Sequence, residues 1–111
     1  ISDDGKTVLK ENITSFISQV DKKHSNFDLG LMNLEVLSKQ EVLENLNDYL
    51  DSIDKGIEHY TNLEKELDRL DVPFYIVNLA TRPLRLLNEE KLWAKEFITE
   101  IESKWTEEAE E

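Results

Sequence analysis

The chain has no cysteine, which excludes disulfides, thiolate nucleophiles and Cys-ligated zinc or iron-sulfur centres. Its 3 Gly and 2 Pro in 111 residues leave little turn chemistry for a many-stranded sheet. No apolar run reaches the ~20 residues that span a bilayer; the longest, residues 74–80, is interrupted by Asn78. Histidine is scarce as well, with His24 and His59 alone. Asp21 stands three residues before His24, the carboxylate-x-x-His spacing that di-metal bundles place on each of two helices. Gly56 occupies the position where His59 would need its carboxylate, so the second copy is missing. No Asp-x-Asp-x-Asp-Gly loop is present for calcium. No metal, no cofactor and no catalytic residue is therefore expected, and the chain is read as not an enzyme. An enzyme working with paired carboxylates alone is the weakest of the readings carried forward.

Acidic residues are abundant. The formal charge is −12, from 25 Asp and Glu against 13 Lys and Arg. Nucleic-acid affinity comes largely from Lys and Arg displacing counterions, so a surface of this sign argues against direct binding to nucleic acid or to an anionic membrane. The charge is uneven. Residues 1–24 balance four acids with four bases, residues 25–72 carry twelve against four, and residues 73–111 carry nine against five.

Apolar spacing predicts an all-α fold. In residues 7–24, Leu9, Ile13, Phe16, Ile17 and Val20 fall on one helical face, and Asp3 and Asp4 sit near the helix start, where carboxylates suit the positive end of the dipole. Residues 25–37 form a connector with some helix, its stripe of Phe27, Leu31, Leu34 and Leu37 requiring burial. Ser38-Lys39-Gln40-Glu41 is a capping box that starts the next helix. From there Leu43, Leu46, Leu50, Ile53, Ile57, Tyr60, Leu63, Leu67 and Leu70 repeat every three or four residues. Pro73 steers Val72 out of the helical region, so this helix stops near Asp71 after roughly 33 residues, or about 50 Å. Gly56 inside it costs about 1 kcal/mol relative to Ala, which a close helix-helix approach would justify.

Residues 73–80 read as a helical or turn-like link. Thr81 is then taken as a cap and Pro83 as the first position of a last helix over 84–107, with Leu87, Ala94, Ile98, Ile101 and Trp105 on one face and Trp93 and Phe97 beside them. The expected architecture is an antiparallel bundle of three to four helices with one long central helix, forming a single domain over residues 1–111 with frayed tails at 1–6 and 107–111. A start at Ile1 rather than Met reads as a domain excised from a longer chain. A cytoplasmic or nuclear setting is expected.

Two sets of side chains stand out as candidate partner contacts. Phe74, Tyr75, Arg82, Arg85 and Leu86 combine the aromatic, arginine and aliphatic residues enriched in interfaces. Asp48 and Asp51 belong to an acidic array with Glu41, Glu44 and Glu58 on the side of the long helix away from its leucines. The function expected from this pattern is non-catalytic protein-protein interaction, as an adaptor or complex subunit. The partner would be another protein, met through a helix in a groove or a basic surface, with self-association along the leucine seam as a sub-case. The alternative is a small acidic inhibitor or immunity-type protein that blocks a basic surface by charge mimicry. Residues 54–63, with Gly56, Tyr60 and Leu63, resemble a stretch of one long helix in the V-shaped domains of endosomal adaptors; this covers about a tenth of the chain and assigns no family.

Overall fold

The computed structural model describes residues 2–20 and 25–106. Among these the protein is all-α, with four α-helices, one 3₁₀ turn and no strand. The chain divides into two units, Ile1–Asn33 and Leu34–Glu111.

The first unit holds α1 (Asp3–Ser18) and α2 (Asn26–Met32). Order begins at Asp3, well inside the expected frayed tail, because the Ser2 hydroxyl accepts a hydrogen bond from the Gly5 amide at 3.0 Å while Asp3 and Asp4 sit in the first turn. The helix ends earlier than its apolar spacing implies: Gln19 is already extended, at φ −123 and ψ 143. Residues 21–24, with His24 and its Asp21 neighbour, lie outside the described residues, as do residues 1 and 107–111. No residue of α1 is buried, and Phe16, Ile17 and Val20 are about four-fifths exposed. In α2 a second capping box joins Ser25 and Asp28, each side chain accepting from the other residue's backbone amide.

The second unit is an antiparallel helical hairpin. After a 3₁₀ turn over Leu34–Val36, α3 (Lys39–Leu70) starts at the predicted capping box. There the Ser38 hydroxyl accepts from the Glu41 amide at 3.1 Å, and the Glu41 carboxylate accepts from the Ser38 amide at 2.9 Å. It stops where Pro73 requires, with Asp71 in the left-handed region (φ 58, ψ 46) closing the last turn.

The next helix departs from expectation. α4 (Phe74–Lys104) begins directly after Pro73 and runs through Pro83, so the apolar run 74–80 is its first two turns and not a link. Thr81 caps nothing; its hydroxyl bonds the Asn78 side chain at 3.0 Å. Pro73 supplies the helix start assigned to Pro83, since a proline at a helix N-terminus forfeits no intrahelical hydrogen bond. Pro83 in the interior leaves the Leu79 carbonyl without its usual donor. The long helix therefore has an equal: α3 has 32 residues and α4 has 31. What the sequence presents as a central helix of surplus length is one arm of a matched pair.

A strict heptad seam joins the arms. On α3 it consists of Lys39, Val42, Leu46, Tyr49, Ile53, Gly56, Tyr60, Leu63 and Leu67, and on α4 of Ile76, Ala80, Pro83, Leu87, Glu90, Ala94, Phe97 and Ile101. Every one of these is buried or half-buried, and Val42, Ala80 and Ala94 are wholly so. Cross-contacts fix the register. The Lys39 ammonium donates to the Glu102 carbonyl at 3.1 Å, the Tyr49 hydroxyl donates to the Glu90 carboxylate at 2.6 Å, and Asp54 pairs with Lys91 at 2.7 Å. A Cβ on Gly56 would come within 2.9 Å of the Leu87 Cδ1 methyl, the close approach its cost in helix propensity implies. The predicted leucine stripe splits in two: Leu46 and Ile53 enter the seam, Leu43, Leu50 and Ile57 flank it, and Leu70 is exposed.

Three stability measurements follow from this geometry, each read from the midpoint of chemical denaturation. Ser38→Ala removes the cap acceptor and is expected to cost about 1 kcal/mol. Gly56→Ala gains helix propensity but displaces the Leu87 methyl, so alone it should stay within about 0.5 kcal/mol of the parent; in a Leu87→Ala background it should stabilise by about 1 kcal/mol. Pro83→Ala restores a donor for Leu79 at the loss of some ring packing, and should stabilise by about 1–2 kcal/mol.

Candidate interaction surfaces

The exposed faces of the two hairpin helices differ in chemistry. On α3 the outer side carries Glu41, Glu44, Asp48, Asp51 and Glu58, all exposed. This is the predicted acidic array, and the heptad places it away from α4.

On α4 the exposed face near the turn, beside the seam where Leu79 precedes Ala80 and Leu86 precedes Leu87, is apolar and cationic. Once the helix is seen to start at Phe74, Tyr75, Leu79, Arg82 and Leu86 follow at intervals of four, three and four, which sets them along one face. Tyr75, Leu79 and Leu86 are each more than half exposed. Phe74, 83% exposed, stands at the edge of this face, its ring meeting that of Tyr75 edge-on at 5.6 Å. Arg82, Arg85 and Leu86, with Asn78 and Thr81, line an open recess of about 570 Å³. Neither arginine forms an ion pair among the described residues, whose bridges are Arg69 with Glu66, Lys91 with Asp54, and Lys104 with Glu100.

The structure thus brings Phe74, Tyr75, Arg82, Arg85 and Leu86 onto one corner. It does not bring Asp48 and Asp51 there. The pairing of Tyr49 with Glu90 and of Gly56 with Leu87 puts the two aspartates on the other helix, level with residues beyond Leu87 and away from the corner along the hairpin. Leu79, Asn78 and Thr81 join the corner although the sequence reading passed over them. On a helix continuous through Pro83, four-three-four spacing from Tyr75 reaches Leu79, and the same spacing from Phe74 reaches Asn78 and Thr81.

Other features define what the surface can do. Trp93 stacks on Phe97, ring centres 5.0 Å apart and planes 15° from parallel, and both are half-buried, as is Trp105. A shallower recess of about 250 Å³, lined by Phe97, Glu100, Ile101, Lys104 and Trp105, lies toward the end of α4. His59 is exposed on α3 and meets the Tyr60 ring edge-on at 4.8 Å. Among the described residues no three His, Asp or Glu side chains converge as a metal site would require, and no helix is long and apolar enough to cross a membrane. No family model, no curated protein and no solved structure matches this chain.

Proposed function

We propose that the chain is a non-catalytic protein-interaction module, an adaptor or complex subunit, that engages another protein through the exposed corner of α4. One observation carries this reading. In a protein of charge −12, two arginines with no ion pair among the described residues stand beside Tyr75, Leu79 and Leu86, all solvent-exposed. An exposed apolar group costs free energy that contact with a partner recovers, and arginine offers a bidentate fork for a carboxylate at such a contact. Two cations are too few to hold a nucleic-acid backbone against the repulsion of the rest of the surface. The fitting partner is a protein segment with aliphatic or aromatic anchors and one or two carboxylates.

A second reading has its own observation. The exposed row Glu41, Glu44, Asp48 and Asp51 suits a basic partner surface, in the manner of an acidic inhibitor. The two readings make opposite demands on charge. If the corner binds, Arg82→Glu with Arg85→Glu should weaken the complex with the physiological partner at least ~30-fold, the scale of an arginine hot spot, while Asp48→Lys with Asp51→Lys leaves it within about threefold. All four side chains are exposed, so neither variant threatens the fold. Isothermal titration of the partner against both variants decides it. Loss of binding in the aspartate variant alone, with steep salt dependence, would replace the corner with the acidic face.

A further inference from the structure

The residues flanking the seam carry a separate message. In heptad notation, with seam positions a and d, the e positions of antiparallel helices lie along the same edge of the pair, and so do the g positions. On α3 the e residues are Leu43, Leu50, Ile57 and Glu64; on α4 they are Val77, Leu84, Lys91, Ile98 and Trp105. All nine are half-buried, and seven are apolar. The g positions of α3 are polar and exposed, Asn45, Ser52, His59 and Glu66, so the apolar g residues of α4, Leu79, Leu86 and Trp93, have no apolar row beside them on the other arm. A two-stranded hairpin needs apolar residues at a and d alone. An added apolar e row on both arms is the a/d/e pattern of a helix with a second neighbour.

We propose that this e-row face pairs with the same face of a second copy, inverted end to end, to form a four-helix bundle. The hairpin face is about 45 Å long and about 20 Å across two helices, or roughly 900 Å², against the ~800 Å² that each side of a standard stable interface buries. The ladder runs the full length of both arms, and a second hairpin presents a ladder of the same length. A single helix of 16 residues such as α1 extends about 24 Å and would match only half of it.

Charge selects the same occupant and its orientation. The acidic rows of α3 point away from the e face, so two strongly acidic chains can meet there with their main charges apart. Lys91 is neutralised by Asp54 within the chain, which leaves Glu64 as the one charge of the row with no ion pair among the described residues. Inversion keeps the Glu100 and Glu102 ends of the two copies at opposite ends of the bundle. It also sets Glu64 of one copy about one helical turn from Lys39 of the other. Leu50 then faces Ile57, and Val77 faces Ile98, across the interface. The surface differs from the α4 corner, so this inference stands or falls independently of the partner reading.

The cysteine-free chain makes the test direct. Leu50→Cys and Ile57→Cys in one chain lie seven residues apart, about 10 Å along a helix, too far for an internal disulfide. In the inverted bundle each meets the other residue of the second copy. The double variant at ~50 μM under mild oxidation should therefore run as a covalent dimer on non-reducing gels, at least tenfold more than either single variant. Sedimentation equilibrium of the parent chain should give twice the 13.0 kDa monomer mass, with Leu50→Lys shifting it to monomer while circular dichroism stays helical. A parent that sediments at 13.0 kDa up to ~200 μM overturns the proposal. So does a dimer that the double-cysteine variant fails to trap, or that single cysteines trap as well as the pair.

Discussion

Everything in the hairpin depends on how the chain reverses at Asp71, Val72 and Pro73. A left-handed residue ends α3, and the proline beyond it forbids continuation of one helix while favouring the start of the next. With so short a connection, α4 must return alongside α3, and its first turns fall opposite the last turns of its neighbour. Aspartate bears the left-handed conformation at less cost than most side chains, because its short carboxylate can satisfy nearby backbone donors. The register of the seam follows from this reversal. Gly56 meeting Leu87, Tyr49 meeting Glu90 and Lys39 meeting Glu102 are successive readings of one antiparallel alignment.

Small residues at the seam complement the bulky ones across it. Ala80 and Ala94 are fully buried on α4, and Gly56 provides the corresponding gap on α3. The Leu87 side chain occupies the space left at Gly56, in the interdigitation that close-packed interiors require. Two of the polar groups in the seam answer each other: the Tyr49 hydroxyl and the Glu90 carboxylate make a short charge-assisted bond. Beyond the strength of that bond, an error of one heptad in alignment would leave both groups half-buried and unmatched. The pair acts as a pin for the register.

Much of this was legible in the sequence where a local rule has a single reading. The capping box at Ser38, the stop before Pro73 and the reason for Gly56 all follow from chemistry within a few residues. The start of α4 was not legible in the same way. Pro83 and Thr81 form a plausible helix entry, and only the tertiary seam, with Pro83 set against α3, shows that the helix absorbs the proline. That reading left Leu79 out of the corner, since it aligns with Tyr75, Arg82 and Leu86 only on a continuous helix. Likewise, nine leucine-like positions read as one stripe, because three-and-four spacing does not separate a seam from its flank. The partner of α3 was needed to tell Leu46 from Leu50.

The turn also has a bearing on how the hairpin assembles. Seam contacts near Asp71 close loops of a few residues, whereas the contact between Lys39 and Glu102 spans 63 positions. Because the entropy lost on closing a loop grows with its length, the cheapest first contacts are those beside the reversal, and each one formed shortens the loop for the next. Loop closure therefore favours pairing as a zipper that spreads outward from the turn and reaches the open ends last. Pro83 lies within the early half of that zipper, so the one interior defect of α4 is bridged by the neighbouring helix before the distal arms have met.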